Sequence, residues 1–422
     1  ELCNGEKAKF VFSLPSGRSL PMAALGQYLD AAGAAVRAHD GAQLARLLDV
    51  ANHDASRAVS SGLAENREEN LGLLCQQKLP APYDEVFAHH CQCLGAITEG
   101  RAEDAFAAVT ATTQAFVKDF KLQETAWSLD ALVNLVKAAK QLATKADAAL
   151  VSAGKKASKL HDAGALLMLV YRNTANTSVT EKKRASLFLV VSLFKIYFKL
   201  NTLHLCKNLI AAVNLPTFPN FESFPSSQKV TYSYYVGRLA VFDDDYIRAE
   251  KNLTYAFTHC SKCNPKNKKL TLRYLIPVKL ILGKVPTNYM LDKYELNEYK
   301  TVVASVKTGN VRQLNDALQE HQVTFIMQGT FLVLEKLRNV ALRTLFQKVA
   351  KINAEKNTTK ANQVSLHLFA SALTWCGAGM DIDECECVVA NLIFRKFIKG
   401  YISHKSRVVV LAKTGAFPSL GS

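Results

Sequence analysis

No apolar run in this 422-residue chain reaches the roughly 20 residues that a bilayer-spanning helix needs. The longest candidate, 185–193, is followed at once by Lys195 and Lys199, so no membrane partner is expected. A glycine-rich phosphate loop, a nucleophile elbow and a defensible catalytic carboxylate pair are all missing, which leaves an enzyme without support. His259, Cys260 and Cys263 form a His-Cys-x-x-Cys cluster, but no second Cys-x-x-Cys pair lies nearby. A structural zinc site takes four ligands, so neither a metal nor a cofactor is expected. Sustained β alternation is absent until the last fifth of the chain. Acidic residues are also in short supply, 36 against 52 basic ones, a formal net charge of +16. That balance suggests an anionic partner, whether nucleic acid, a membrane surface or an acidic protein; the plain alternative is a solvated basic surface.

What is present is apolar and helical. Apolar residues make up 49% of the chain, enough for a large core and too much for global disorder. Ten cysteines are scattered at uneven spacing, which fits a reducing compartment better than a disulfide framework. The chain begins at Glu1 rather than Met, so nothing about a targeting segment is read from its start. Up to about residue 355 the pattern is helix, tight polar turn, helix, with turns at Asp40-Gly41, Glu99-Gly100 and Thr308-Gly309. Glycine suits such turns because it accepts positive φ at a helix C-terminus. The clearest hairpin spans 232–260 and turns at Asp243-Asp244-Asp245, where an aspartate can cap the second helix. Gly237, Ala249 and Ala256 would let its two helices approach closely, as in tetratricopeptide-type repeats. Tyr232, Tyr234 and Tyr235 are read as packing residues, base stacking being the alternative. Two linkers stand out: the Thr-rich 173–183, and 215–228, where three prolines alternate with Phe218, Phe221 and Phe224. A boundary is placed near residue 214.

The last fifth changes character. A helix is expected over 331–352, with Leu334, Leu337, Ala341, Leu345, Val349 and Ile352 facing inward. Lys336 and Arg343, seven apart, would share its outer face, extended by Lys348 and Lys351. A polar loop carrying Lys356 and Lys360 follows, then a helix capped by Ser365 and stopped by Gly377 and Gly379. Asp381 or Asp383 caps one more helix, ending near Phe397, and two short β-rich runs follow through 411. This is the outline of a winged helix. Its third helix starts acidic (Asp381, Asp383, Glu384, Glu386), which suits the helix dipole but repels phosphate. Its end and wing are basic: Arg395, Lys396, Lys399, Lys405 and Arg407. Over 331–413, thirteen Lys and Arg stand against six Asp and Glu, a net +7. Any nucleic-acid contact should therefore be to the backbone, without sequence preference, through the wing and through Arg343, Lys351, Lys356 and Lys360. The other reading has the wing pack on a neighbouring subunit.

At these residues the chain resembles the PCI-domain proteins, whose fold is a stack of helices capped by a winged helix. Five stretches, in order, carry the resemblance to the Thp-type subunit of the nuclear transcription-coupled mRNA export complex (the second TREX complex). They are Asn214-Leu215-Pro216, Thr231-Tyr232-Ser233-Tyr234-Tyr235-Val236-Gly237-Arg238, Leu272-Arg273-Tyr274-Leu275-Ile276-Pro277-Val278-Lys279, Asn391-Leu392-Ile393 and Lys399-Gly400-Tyr401-Ile402-Ser403-His404. The match covers about 185–420, and Phe417-Pro418 fits it too. The implied architecture is mainly α: a TPR-like α-solenoid of helical hairpins ending in a C-terminal winged helix (the PCI fold). Its parts would be an N-terminal helical-repeat region (1–213), the helical part of the PCI domain (214–335) and its winged-helix part (336–416). The resemblance implies a non-enzymatic scaffold in the nucleus, associated with nuclear pores and partly cytoplasmic. It implies a Sac/GANP-type PCI scaffold protein as partner, a small acidic Sem/DSS-type protein as clamp, nuclear pore components reached through the complex, and RNA or DNA bound by paired winged helices. The alternative is a purely structural PCI subunit of a proteasome-lid- or signalosome-like assembly.

Overall fold

Short polar turns between apolar-striped helices dictate antiparallel helical neighbours, and that is how the chain folds. The computed structural model describes residues 21–63 and 68–421. Two compact units divide between Asn220 and Phe221.

The first unit is built of consecutive helices, from Pro21–Arg37 to His204–Val213. The successive helices Tyr83–Thr98, Ala102–Leu122 and Leu129–Ser152 pack each against the next. At the Asp40-Gly41 turn Asp40 caps the following helix, accepting from the Gln43 N–H at 3.0 Å. The Thr-rich linker is more ordered than its composition suggests. It ends in a 3-10 turn, Lys182–Ala185, whose Lys182 is buried. Its ammonium donates to the Phe120 carbonyl at 2.6 Å and to the Gln123 carbonyl, so a buried charge is held by backbone dipoles.

The second unit begins within the proline- and phenylalanine-rich segment. Phe224 is buried and the Phe221 ring lies 5.5 Å from that of Tyr232, so the phenylalanines pin a stretch that proline keeps out of helix. The expected hairpin follows as Ser226–Phe242 and Tyr246–His259. Asp245 caps its second helix through the Arg248 N–H at 3.0 Å. At Gly237 the two helices are so close that an added Cβ would lie 2.6 Å from Leu253 Cγ and 3.2 Å from the Leu253 backbone nitrogen. Ala249 and Ala256 are fully buried on the facing helix. Gly237→Ala should therefore push the pair apart and destabilise the second unit by about 2 kcal/mol, read as a lower urea midpoint at unchanged m-value. At the next turn, Gly309 adopts φ 77° and Asn310 caps the following helix through the Gln313 N–H at 3.0 Å.

The chain then closes with a winged helix. Its elements in order are Leu337–Lys356, strand β1 (Gln363–Ser365), Leu366–Trp375, Ile382–Phe394, β2 (Gly400–Ser403) and β3 (Val408–Leu411). The sheet is antiparallel in the order β1-β3-β2. Val409, in register with both Val364 and Ile402, is fully buried. Ser365 accepts from the His367 N–H as the expected cap. Three expectations change. The 331–352 helix is broken at Lys336 into Phe331–Glu335 and Leu337–Lys356. The last helix stops at Phe394, because Lys396 takes φ 64°. The polar loop shrinks, since helix runs to Lys356 and strand begins at Gln363. No helix among the described residues is long and apolar enough to cross a membrane.

Candidate nucleic-acid interface

The site is organised by the start of the Ile382–Phe394 helix. Asp381 accepts from the Glu384 N–H at 2.7 Å, and the Glu384 carboxylate accepts from the Asp381 N–H at 3.2 Å. This reciprocal cap satisfies two orphan donors and anchors the first turn. Cys385, Val389 and Leu392, at three- and four-residue steps, form the buried stripe. Asp383 and Glu386 are turned toward the wing instead. Arg407, the last residue of the β2–β3 turn, donates to Asp383 and, at 2.8 Å, to Glu386. His404 Nδ1 lies 2.8 Å from Glu386. The hydrogen bond to Asp383, then its charge and the Glu386 carboxylate, hold the Arg407 guanidinium protonated more firmly than usual. The acidic turn is thus largely spent on its own wing, and the repulsion it would exert on phosphate is correspondingly reduced.

The nine basic positions read from sequence separate into three groups. Arg343 is a correction. It is only 8% exposed, and its Nη2 donates to the carbonyls of Pro418 at 2.7 Å and Phe417 at 3.2 Å. It lies on no outer face and is occupied in holding the C-terminal tail. Arg407 is exposed in part but committed to Asp383 and Glu386, and Arg395 Nε donates to Asn391 Oδ1 at 3.0 Å. Lys396, Lys399, Lys405, Lys351, Lys356 and Lys360 are exposed, and none forms an ion pair among the described residues. Lys399 stands on fixed backbone: its N–H donates to the Ala416 carbonyl at 2.8 Å and its carbonyl accepts from Ala412 at 2.9 Å.

Sequence reasoning passed over three apolar residues. Trp375 is 89% exposed, Phe394 85% and Tyr401 64%. Phe394 lies off the Cys385–Val389–Leu392 stripe, a signal that was available from helical spacing. Tyr401 is on β2, an edge strand whose outer N–H and C=O groups have no strand partner, the kind of edge another chain can pair with. His259 and Cys263 are exposed while Cys260 is buried, and no metal-holding group of three or more His, Cys, Asp or Glu occurs among the described residues.

The PCI domain family matches residues 318–413, the stretch that contains the winged helix. Along nearly its whole length the chain is similar to PCI domain-containing protein 2 of Xenopus laevis, 38% identical over 94% of this chain and 98% of that protein. The chain belongs to the PCI-domain family. Enhanced ethylene response protein 5 of Arabidopsis thaliana is 36% identical over 93% of this chain and 95% of its own. A protein CSN12 homolog of Mycosarcoma maydis is 28% identical, covering 93% of this chain and 97% of its own. As a PCI-domain protein of scaffold type, the molecule presents its winged helix with an open strand edge, exposed aromatic residues and, at the wing, lysines that form no ion pair among the described residues.

Proposed function

We propose that this chain is a non-enzymatic scaffold subunit of a nuclear-pore-associated complex that couples transcription to mRNA export. In this reading its winged helix sits beside that of a Sac/GANP-type PCI partner, and a small acidic Sem/DSS-type protein clamps the helical stack. Nucleic acid is then bound through backbone contacts. One observation carries the proposal: Lys396, Lys399 and Lys405 are exposed at the wing with no ion-pair partner among the described residues, while the acids beneath are held by Arg407 and His404. The exposed Phe394 and Tyr401 and the open β2 edge support the pairing step. A second reading, a purely structural subunit of a lid- or signalosome-like assembly, is favoured by the relative named CSN12 homolog.

A salt titration separates the two. With the chain in complex with its PCI partner, changing Lys396, Lys399 and Lys405 to Ala should weaken single-stranded RNA binding about tenfold at low salt. The slope of log K against log salt should flatten by about 2, at about 0.7 per phosphate released. Unchanged affinity and slope in a folded, assembled triple variant would favour the structural reading.

A further inference from the structure

The first unit contains a second basic feature that the winged-helix reading does not use. A groove lies between the Leu129–Ser152 and Ser186–Lys199 helices, with Leu160 and Ile196 as its buried floor. Lys140 and Lys145 stand on one wall and Lys195 and Lys199 on the other, with the Thr144 hydroxyl between. Lys137, one turn before Lys140, rests over the Phe188 ring at 5.9 Å and donates to Asn134 at 3.2 Å. None of these five lysines meets a carboxylate among the described residues. The nearest acid in sequence, Asp147, is spent as a cap on the backbone N–H groups of Lys159 at 2.8 Å and Leu160 at 2.9 Å. Burial, and then the charges of Lys195 and Lys137, make Lys140 a weaker base than an ordinary lysine.

Bringing like charges together over an apolar floor costs stability, and folded proteins keep such arrangements where a ligand repays the cost. The side chains are all lysine, compact point charges suited to phosphate oxygens, with no arginine fork for bidentate capture of a carboxylate. The groove lining has no aromatic side chain on which a base could stack, the usual partner of a basic track in single-strand binding. The lysines also converge from two helices rather than running along one line. We propose that this groove is an anion site for a compact polyphosphate, a small molecule with closely spaced phosphate groups.

The test uses the full chain and sodium tripolyphosphate as probe, with sodium sulfate at matched ionic strength as control. Tripolyphosphate should raise the melting temperature of the first unit saturably, and sulfate should not. The Lys140→Met/Lys195→Met variant should bind on the order of tenfold more weakly. Its ligand-free melting temperature should stay level or rise, because a repulsion has been removed. Lys140→Arg should retain binding. The wing variant lacking Lys396, Lys399 and Lys405 should bind tripolyphosphate as the parent does, so this site and the wing stand or fall separately. Equal binding by the Lys140/Lys195 variant would overturn the proposal, as would a non-saturable salt effect. Protection by single-stranded RNA or an acidic peptide, with none by tripolyphosphate, would also overturn it in favour of that macromolecule.

Discussion

Arg343→Ala should destabilise the second unit by on the order of 3 kcal/mol while leaving the RNA affinity of the folded protein unchanged. The guanidinium makes two charge-assisted hydrogen bonds to main-chain carbonyls, at 2.7 and 3.2 Å, and each such bond contributes about 1.5–3 kcal/mol. Its burial holds its pKa below the ordinary arginine value, and one of its nitrogens, Nε, is buried without a partner among the described residues; these costs temper the sum. The tail it holds continues to Leu420, close enough to Gly283 that an added Cβ there would lie 3.1 Å from Leu420 Cβ. The same tail also supplies the Ala416 carbonyl that fixes Lys399. Losing Arg343 should therefore speed hydrogen exchange across 416–421 and at Lys399, and lower the urea midpoint. Arg343→Lys should recover only part of the loss, since the lysine side chain is one bond shorter than the reach to Nη2, the nitrogen that serves both carbonyls, and leaves the Nη1 contact to Gln347 unmade. An Arg343→Ala protein of parental stability and weakened RNA binding would return this residue to the interface and refute its structural role.

The misplacement of Arg343 has a physical origin. Counting seven residues from Lys336 assumes one continuous helix, but Lys336 sits at a break between two. Periodicity also presumes a helix with one buried face. The Leu337–Lys356 helix packs against several others, including Glu298–Thr308, Pro265–Ile281 and Leu366–Trp375. It buries Ala341, Leu342, Arg343, Leu345 and Phe346 almost all the way round. Sequence patterning cannot tell a central helix from a peripheral one when a long cation fills one of its inward positions.

Where the determining interactions are local, the chain was legible. The caps at Asp381, Ser365 and Asp245 act over two or three residues, and the close approach at Gly237, with Ala249 and Ala256 buried on the facing helix, follows from the spacing of small residues. Strand β1 is only three residues long, too short for alternation to register. The pairing of Arg407 with Asp383 and Glu386 joins residues more than 20 apart, and it changes the meaning of the acidic turn from a repulsive surface to a brace for the wing. The lysine groove likewise joins helices whose residues look, one at a time, like ordinary solvated positions.

Lowering the pH from 6.5 to 4 should cost the first unit about 3 kcal/mol through a single residue, His90. This histidine is fully buried in the Tyr83–Thr98 helix, on the stripe of Val86, Phe87, Cys91 and Leu94. Burial depresses its pKa to about 4, opposed only in part by the Asp49 charge. The Leu47 carbonyl already accepts from Tyr28 Oη at 2.9 Å, and neither ring nitrogen of His90 has a hydrogen-bond partner among the described residues. Above pH 6.5 the imidazole is neutral in folded and unfolded chains alike, so His90 adds no pH dependence there. Below 6.5 the unfolded chain takes up a proton that the folded core refuses until about pH 4, and stability falls by about 1.4 kcal/mol per unit across that window. His90→Leu, which keeps the site apolar, should flatten this part of the acid limb and leave the carboxylate contribution in place. Parallel acid limbs for the two proteins, measured by urea unfolding at each pH with a probe in the first unit, would show that His90 is protonated in the folded state.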